Sequence, residues 1–301
     1  MHVISASRRT DIPAYYSDWL LARLAAGWCE VRQPFNGRIS RVSLAPEDVS
    51  AFVFWTKNPR PLLPHLTAIP APCVFQFTIN PYDHVFEPAG LPTDRAVAAA
   101  HELAQRLSPE RVVWRYDPIV ESSLTPWSWH LERFESLAAR LAGATRRCVF
   151  SFVNLYRRTR LRMDKLAAEH GFTYRFLATH PTEAAAARHG SAYEMEEMRA
   201  RSRDLAAIAA RYGLSLQSCC CDALLDAGSG VGKARCIDAE LLGITLPARP
   251  TREDCGCAAS IDIGAYDTCP HGCGASYCYA VQSRTRALNH RQTHHPSSTR
   301  L

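Results

Sequence analysis

Residues 51–59 read AFVFWTKNP: five apolar residues, three of them aromatic, followed by Thr56, Lys57, Asn58 and Pro59. A short run so rich in β-branched and aromatic side chains predicts a strand buried on both faces, and the polar cluster with proline ends it. The same pattern recurs on either side. VISAS (3–7) runs into Arg8-Arg9-Thr10-Asp11, and VFQFT (74–78) into a loop from Asn80. RVVWR (111–115) is closed by Tyr116-Asp117-Pro118, and CVFSFV (148–153) by Asn154-Leu155-Tyr156. LSLQSC (214–219) leads straight into Cys220 and Cys221. Helical spacing of apolar residues fills the intervals at 15–26, 94–107, 127–141, 157–170 and 193–212, with a short turn or helix from 61 to 66.

Six strand–helix units in series predict an α/β fold: a parallel sheet covered by helices. A doubly wound sheet and a (β/α) barrel, complete or partial, both satisfy this order. The barrel is favoured because almost every strand ends in a polar cluster, and barrels carry their sites at the C-terminal ends of the strands. An open sheet would gather such residues at one switch point. Residues 1–221 are read as the barrel core. Residues 222–301 are read as a cysteine-rich segment with a basic tail, packed on that core.

Composition narrows the classes. The 301 residues are 47% hydrophobic and 21% charged, which is ordinary for a folded domain. Residues 1–11 include Arg8 and Arg9 and no apolar stretch of leader type, and no run approaches roughly 18 apolar residues. A cytoplasmic protein with no membrane partner is therefore expected. The net charge of +6 is mild and carried almost wholly by arginine, so nucleic acid is an open but not favoured partner. The run Arg157-Arg158-Thr159-Arg160-Leu161-Arg162 could track a phosphate backbone; a solvated helix face is the more common use of such a run. GSGVGK (228–233) lacks the spacing and the trailing Ser or Thr of a phosphate loop and reads as a loop.

Cysteine is the informative residue. Twelve are present, and nine fall between Cys219 and Cys278. In a reducing compartment such crowding points to metal. The densest stretch, TCPHGCGASYCYA (268–280), spaces Cys269, Cys273 and Cys278 as C-x3-C-x4-C. Three thiolates on one loop can hold three irons of a [4Fe–4S] cluster and leave the fourth iron open to a small molecule. A zinc knuckle of the same three cysteines with His271 is the alternative. Further thiols remain in the Cys219–Cys221 run and at Cys236, Cys255 and Cys257; four of them, such as Cys220, Cys236, Cys255 and Cys257, would complete a second, fully ligated cluster, with structural zinc or free thiols as the other reading. Cys29, Cys73 and Cys148 lie in apolar settings and read as core.

The strand ends supply the remaining candidates. Arg8, Arg9, Asp11, Lys57, Arg115 and Asp117 should line the cavity as catalytic or gripping groups, with Asn58, Asn154 and Tyr156 as cofactor contacts. Arginine grips a carboxylate or phosphate through paired hydrogen bonds. The plainer reading is structural ion pairing, Arg8 or Arg9 with Asp11, and Arg115 with Asp117.

At these residues the chain resembles the DUF1848 family, over nearly its whole length. The resemblance rests on SASRRTDIPAYY (5–16), VFWTKNP (53–59), RYDPI (115–119), CID (236–238), SIDIGAYDTCPHGC (260–273), YCYA (277–280) and a closing His-x-x-Ser at His295. The family's cysteine cluster is similar to that of radical S-adenosylmethionine (SAM) enzymes, moved to the C-terminal side of the strands. Here the second gap is four residues, where the family usually has two. The resemblance implies a [4Fe–4S] cluster ligated by Cys269, Cys273 and Cys278, SAM bound at the open iron, and Tyr277 placed against the adenine. It implies one-electron cleavage of SAM to begin radical chemistry on a small-molecule or peptide substrate, with electrons from a flavodoxin or ferredoxin. The alternatives are a non-catalytic iron–sulfur or zinc protein that binds nucleic acid, and hydrolysis at a zinc centre.

Overall fold

The computed structural model describes residues 1–178, 182 and 185–301. Twelve strands are found among them: β1 (His2–Ala6), β2 (Trp28–Arg32), β3 (Ile39–Ser43), β4 (Val49–Thr56), β5 (Cys73–Thr78), β6 (Val112–Ile119), β7 (Arg147–Phe152), β8 (Tyr174–Phe176), β9 (Gly190–Ala192), β10 (Ser215–Ser218), β11 (Val231–Lys233) and β12 (Ile261–Asp262). Eight form one sheet in the order β11-β10-β7-β6-β5-β4-β1-β12, and every pairing within it is parallel. All six strands expected from the sequence are in it.

Alternation along each strand sorts the side chains to two faces. One face sends Ile4, Phe52, Phe54, Phe75, Trp114 and Phe150 into the main core, under the helices. Each fully buried side chain of this size contributes roughly 1.5–3 kcal/mol. The other face presents Val3, Val53, Val74, Val113 and Val149, which pack on Cys219, Cys236, Ile237, Leu242 and Cys257. Segment 219–258 therefore fills the second face of the sheet.

A closed barrel is not formed. Strands β11 and β12 are the two edges of the sheet and do not pair with each other. They are three and two residues long, and the chain between them forms loops and the short helix α7 (Ala239–Leu242) in place of a full strand–helix unit.

The other helices are α1 (Ile12–Tyr15), α2 (Ser17–Ala26), α3 (Thr93–Arg106), α4 (Trp127–Leu141), α5 (Arg157–His170), α6 (Met195–Arg211) and α8 (Arg284–Thr293). The helix expected over 15–26 starts earlier and breaks at Tyr16. The Asp11 side chain caps α1 at Ala14 N, 3.0 Å away, and the Tyr16 hydroxyl donates to Thr268 O at 2.7 Å. The antiparallel hairpin β2–β3 and helix α8 add to the expected elements. GSGVGK ends in edge strand β11, with Lys233 Nζ held by Asp222 Oδ2 at 2.6 Å, so this lysine is not presented to a phosphate. No helix among the described residues is long and apolar enough to cross a membrane.

Candidate metal and cofactor site

The C-terminal ends of β1, β4, β5, β6, β7 and β10 open into one cavity of about 720 Å³. All nine cysteines from Cys219 to Cys278 line it. So do Arg8, Arg9, Asp11, Lys57, Arg115 and Asp117, together with Asn154, Tyr156 and Tyr277. Asn58 is not among the lining residues; its side chain accepts from Arg60 N at 3.3 Å and shapes the turn after β4.

The loop bearing Cys269, Cys273 and Cys278 is shaped by glycine and framed by arginine. Gly272 has φ +89°, and a Cβ there would lie 2.5 Å from Pro88 Cγ, so only glycine fits. Arg162 of α5 donates to the carbonyls of Gly274, Val281 and Cys278, the last at 2.9 Å. Part of the basic run is thus committed to holding this loop, and Arg160 is buried. The Cys269 sulfur accepts backbone N–H groups of Asp11 and His271, although burial dominates and pushes its thiol up to about 12. A hydrogen bond from Cys273 favours the thiolate of Cys278, which Ala280 N–H, Lys57 and Arg162 also stabilise.

His271 is engaged at both nitrogens. Its Nε2 donates to Asp11 Oδ2 at 2.6 Å, and its Nδ1 lies 3.1 Å from the Tyr15 hydroxyl. A carboxylate can only accept, so Nε2 carries the proton, and Nδ1 is occupied by the Tyr15 hydroxyl. The imidazole has no lone pair left for a metal. The loop therefore offers three thiols and no fourth ligand of its own, which disfavours the Cys3His zinc arrangement.

Charged residues around the cavity fall into two kinds. Most are paired. Arg9 binds the Asp262 carboxylate at 3.0 Å, and Asp262 also accepts from Ser5, Ser7, Arg8 N and Gly264 N. Lys57 Nζ meets Glu87 Oε1 at 2.9 Å, and Glu87 also accepts from Asn80 and the Tyr277 hydroxyl. Burial opposes the charge on both partners. The pairing overrides it, raising the lysine pKa and lowering that of the carboxyl. Arg115 pairs with Asp117 as the sequence suggested. The expected partnership of Arg8 or Arg9 with Asp11 is not formed, because Asp11 faces Ala14 N, Lys57 N and His271.

Arg8 is the exception. Its guanidinium stacks 5.0 Å from the Trp55 ring centroid, and its Nη2 is buried with no hydrogen-bond partner. At the rim, Tyr156, Tyr266 and Tyr279 are exposed and in edge-on or tilted contact at 5.9 and 6.5 Å.

The remaining thiols come from distant parts of the chain. Cys219 Sγ is 3.8 Å from Cys220 Sγ and 4.0 Å from Cys236 Sγ, and Cys236 contacts Cys257, which contacts Cys255. Arg115 Nη1 donates to Cys236 Sγ at 3.1 Å and Arg252 Nη2 to Cys219 Sγ at 3.5 Å. Arg252, Glu87 and Asp262 escaped the sequence reading as site residues. Asp262 had a signal, since it lies inside the SIDIGAYDT stretch; Glu87 had none. Among the described residues, no group of three or more His, Cys, Asp or Glu side chains is arranged to hold a metal ion.

No curated protein and no solved structure matches the chain. A family model described as a domain of unknown function, DUF1848, matches residues 3–280. With that match spanning the sheet, the cavity and the cysteine loop, the chain belongs to the DUF1848 family.

Proposed function

We propose that this protein is a radical SAM-type enzyme built on a partial (β/α) barrel, with its [4Fe–4S] cluster on the loop that follows β12. The observation that carries the reading is the ligand count: Cys269, Cys273 and Cys278 share one loop facing the cavity, while His271 is held by Asp11 and Tyr15. Three thiolates leave one iron free to take the amino and carboxylate groups of SAM. Bound there, a reduced cluster supplies the single electron that splits a carbon–sulfur bond of the sulfonium.

The chain's own residues bind and orient. Arg8 has the unpartnered donor in the cavity and grips the SAM carboxylate or an acidic group of the substrate. Tyr277 presents its ring to the cavity while Glu87 fixes its hydroxyl, so the ring is set as a platform for adenine. Lys57 sits within 6.0 Å of that ring and offsets the negative charge of the thiolates. Asn154 and Tyr156 line the same cavity and are proposed as further cofactor contacts.

The test is low-temperature EPR of anaerobically purified, dithionite-reduced protein with and without SAM. A [4Fe–4S]+ signal that shifts on adding SAM is expected. A signal indifferent to SAM, or zinc in place of iron, overturns the reading.

A second reading is binding of nucleic acid without catalysis. The exposed tyrosines at the cavity mouth, with Arg157 and Arg158 exposed at the start of α5, favour it. It requires affinity for single strands that falls steeply with salt, and no response to SAM.

A further inference from the structure

Cys220, Cys219, Cys236, Cys257 and Cys255 form an unbroken series of sulfur contacts. They come from the end of β10, the approach to α7 and the loop at 251–257, so the fold itself assembles them. Each has a donor beside the sulfur. Arg252 faces Cys219 and Arg115 faces Cys236; Ile237 N donates to Cys257 at 3.5 Å, and the Thr251 hydroxyl lies 3.6 Å from Cys255. Cys220 shares Arg252 with Cys219 and adds no donor of its own.

A guanidinium carries donors only, and its bonds are strong when the acceptor is charged. Two guanidiniums directed at sulfur fit thiolates and are poorly used on neutral thiols. Adjacent thiolates repel one another, more strongly where burial lowers the local dielectric. A cationic core bound between them would remove that repulsion. No three of these side chains converge on one point, as a lone ion would require.

We infer that Cys219, Cys236, Cys255 and Cys257 ligate a second [4Fe–4S] centre, fully held by protein, with Arg115 and Arg252 compensating its negative charge. Four thiolates complete the coordination of such a cluster, so it binds no SAM and serves to store or relay an electron beside the cavity. The inference does not depend on SAM chemistry at the first loop.

The test uses the full-length triple variant Cys269→Ala, Cys273→Ala, Cys278→Ala, purified anaerobically and assayed for iron, acid-labile sulfide and zinc, with Mössbauer spectra of 57Fe-grown protein. About four irons and four sulfides per chain should remain, with spectra unchanged by SAM. Iron and sulfide well below one per chain, or zinc in their place, overturns the inference. Should that variant not fold, Cys236→Ser with Cys257→Ser in the otherwise native chain should halve iron and sulfide while the SAM-responsive signal persists. Unchanged iron and sulfide there overturns it equally. Failure of SAM to perturb the native protein sinks the proposed activity and leaves this centre standing.

Discussion

The two cysteine groups share a cavity and are built in opposite ways. Cys269, Cys273 and Cys278 lie within ten residues, on a loop shaped by Gly272 and framed by Arg162. Cys219, Cys236, Cys255 and Cys257 span 39 residues and three segments, and they meet only because the chain leaving β10 and the segment after β11 cover the same face of the sheet. The first group is made by local backbone geometry and the second by tertiary packing. A change that bends the loop should spare the second group, and a change in the sheet should reach the second group first.

The largest effect is expected at Arg115. Replacing it with Leu removes the ion-pair partner of half-buried Asp117, which keeps only the Ser151 hydroxyl, and the donor to Cys236. Breaking such a pair costs about 3–4 kcal/mol, to be read by denaturant unfolding. The second group should lose its metal first. Unimpaired stability and metal content would show that the sheet does not organise that group.

Gly272→Ala should cost about 2–4 kcal/mol, from an unfavourable positive φ and the clash with Pro88. Iron should fall by about half and the SAM response should vanish, with the second group retained. Loss of both groups together would break the distinction between them.

Asp262 sits between the two groups in sequence and ties β12 to the end of β1. Burial favours its neutral form, but Arg9 and the surrounding donors override this and hold its carboxyl below the ordinary aspartate value. A depressed pKa gives stability that is present above the unfolded value near 4 and lost as pH falls through the folded one. Asp262→Asn should therefore cost about 1–3 kcal/mol at neutral pH and flatten the acid limb of the stability profile. An acid limb as steep as that of the native chain would place the titration elsewhere.

The smallest effect on stability is expected at Arg8, whose Nη2 has no partner to lose. Arg8→Gln removes the stack on Trp55 and should cost about 0.5–1 kcal/mol of unfolding free energy. SAM affinity, measured by calorimetry under argon, should drop roughly tenfold or more. Unchanged affinity would remove Arg8 from the site.

The same contrast governs what the sequence reveals. VISAS, AFVFW, VFQFT, RVVWR, CVFSFV and LSLQSC were legible because strands covered on both faces are continuously apolar. Strand β11 is VGK and β12 is ID; neither has a pattern, and only their neighbours make them strands. Helix α8 buries only Ala287, so it shows no apolar stripe. The cysteine loop was legible from spacing alone. The partners of Arg9 and Lys57 were not, since Asp262 is 253 residues from Arg9 and Glu87 lies in a loop without periodicity. The complete form of the barrel is not reached, because the chain leaves a regular strand–helix alternation after β11.

The pairing of β1 with β12 carries a consequence in time. One partner leaves the ribosome first and the other about 250 residues later, which at roughly 5–20 residues per second is on the order of 10–50 s. Through that interval the outer edge of β1 is an unsatisfied template open to any passing strand. The thiols at 269, 273 and 278 emerge later still, into a sheet already laid down. The cysteine loop is thus among the last parts of the cavity to be made, and a chain stalled before residue 261 should be folded across its helices and unsealed along one side.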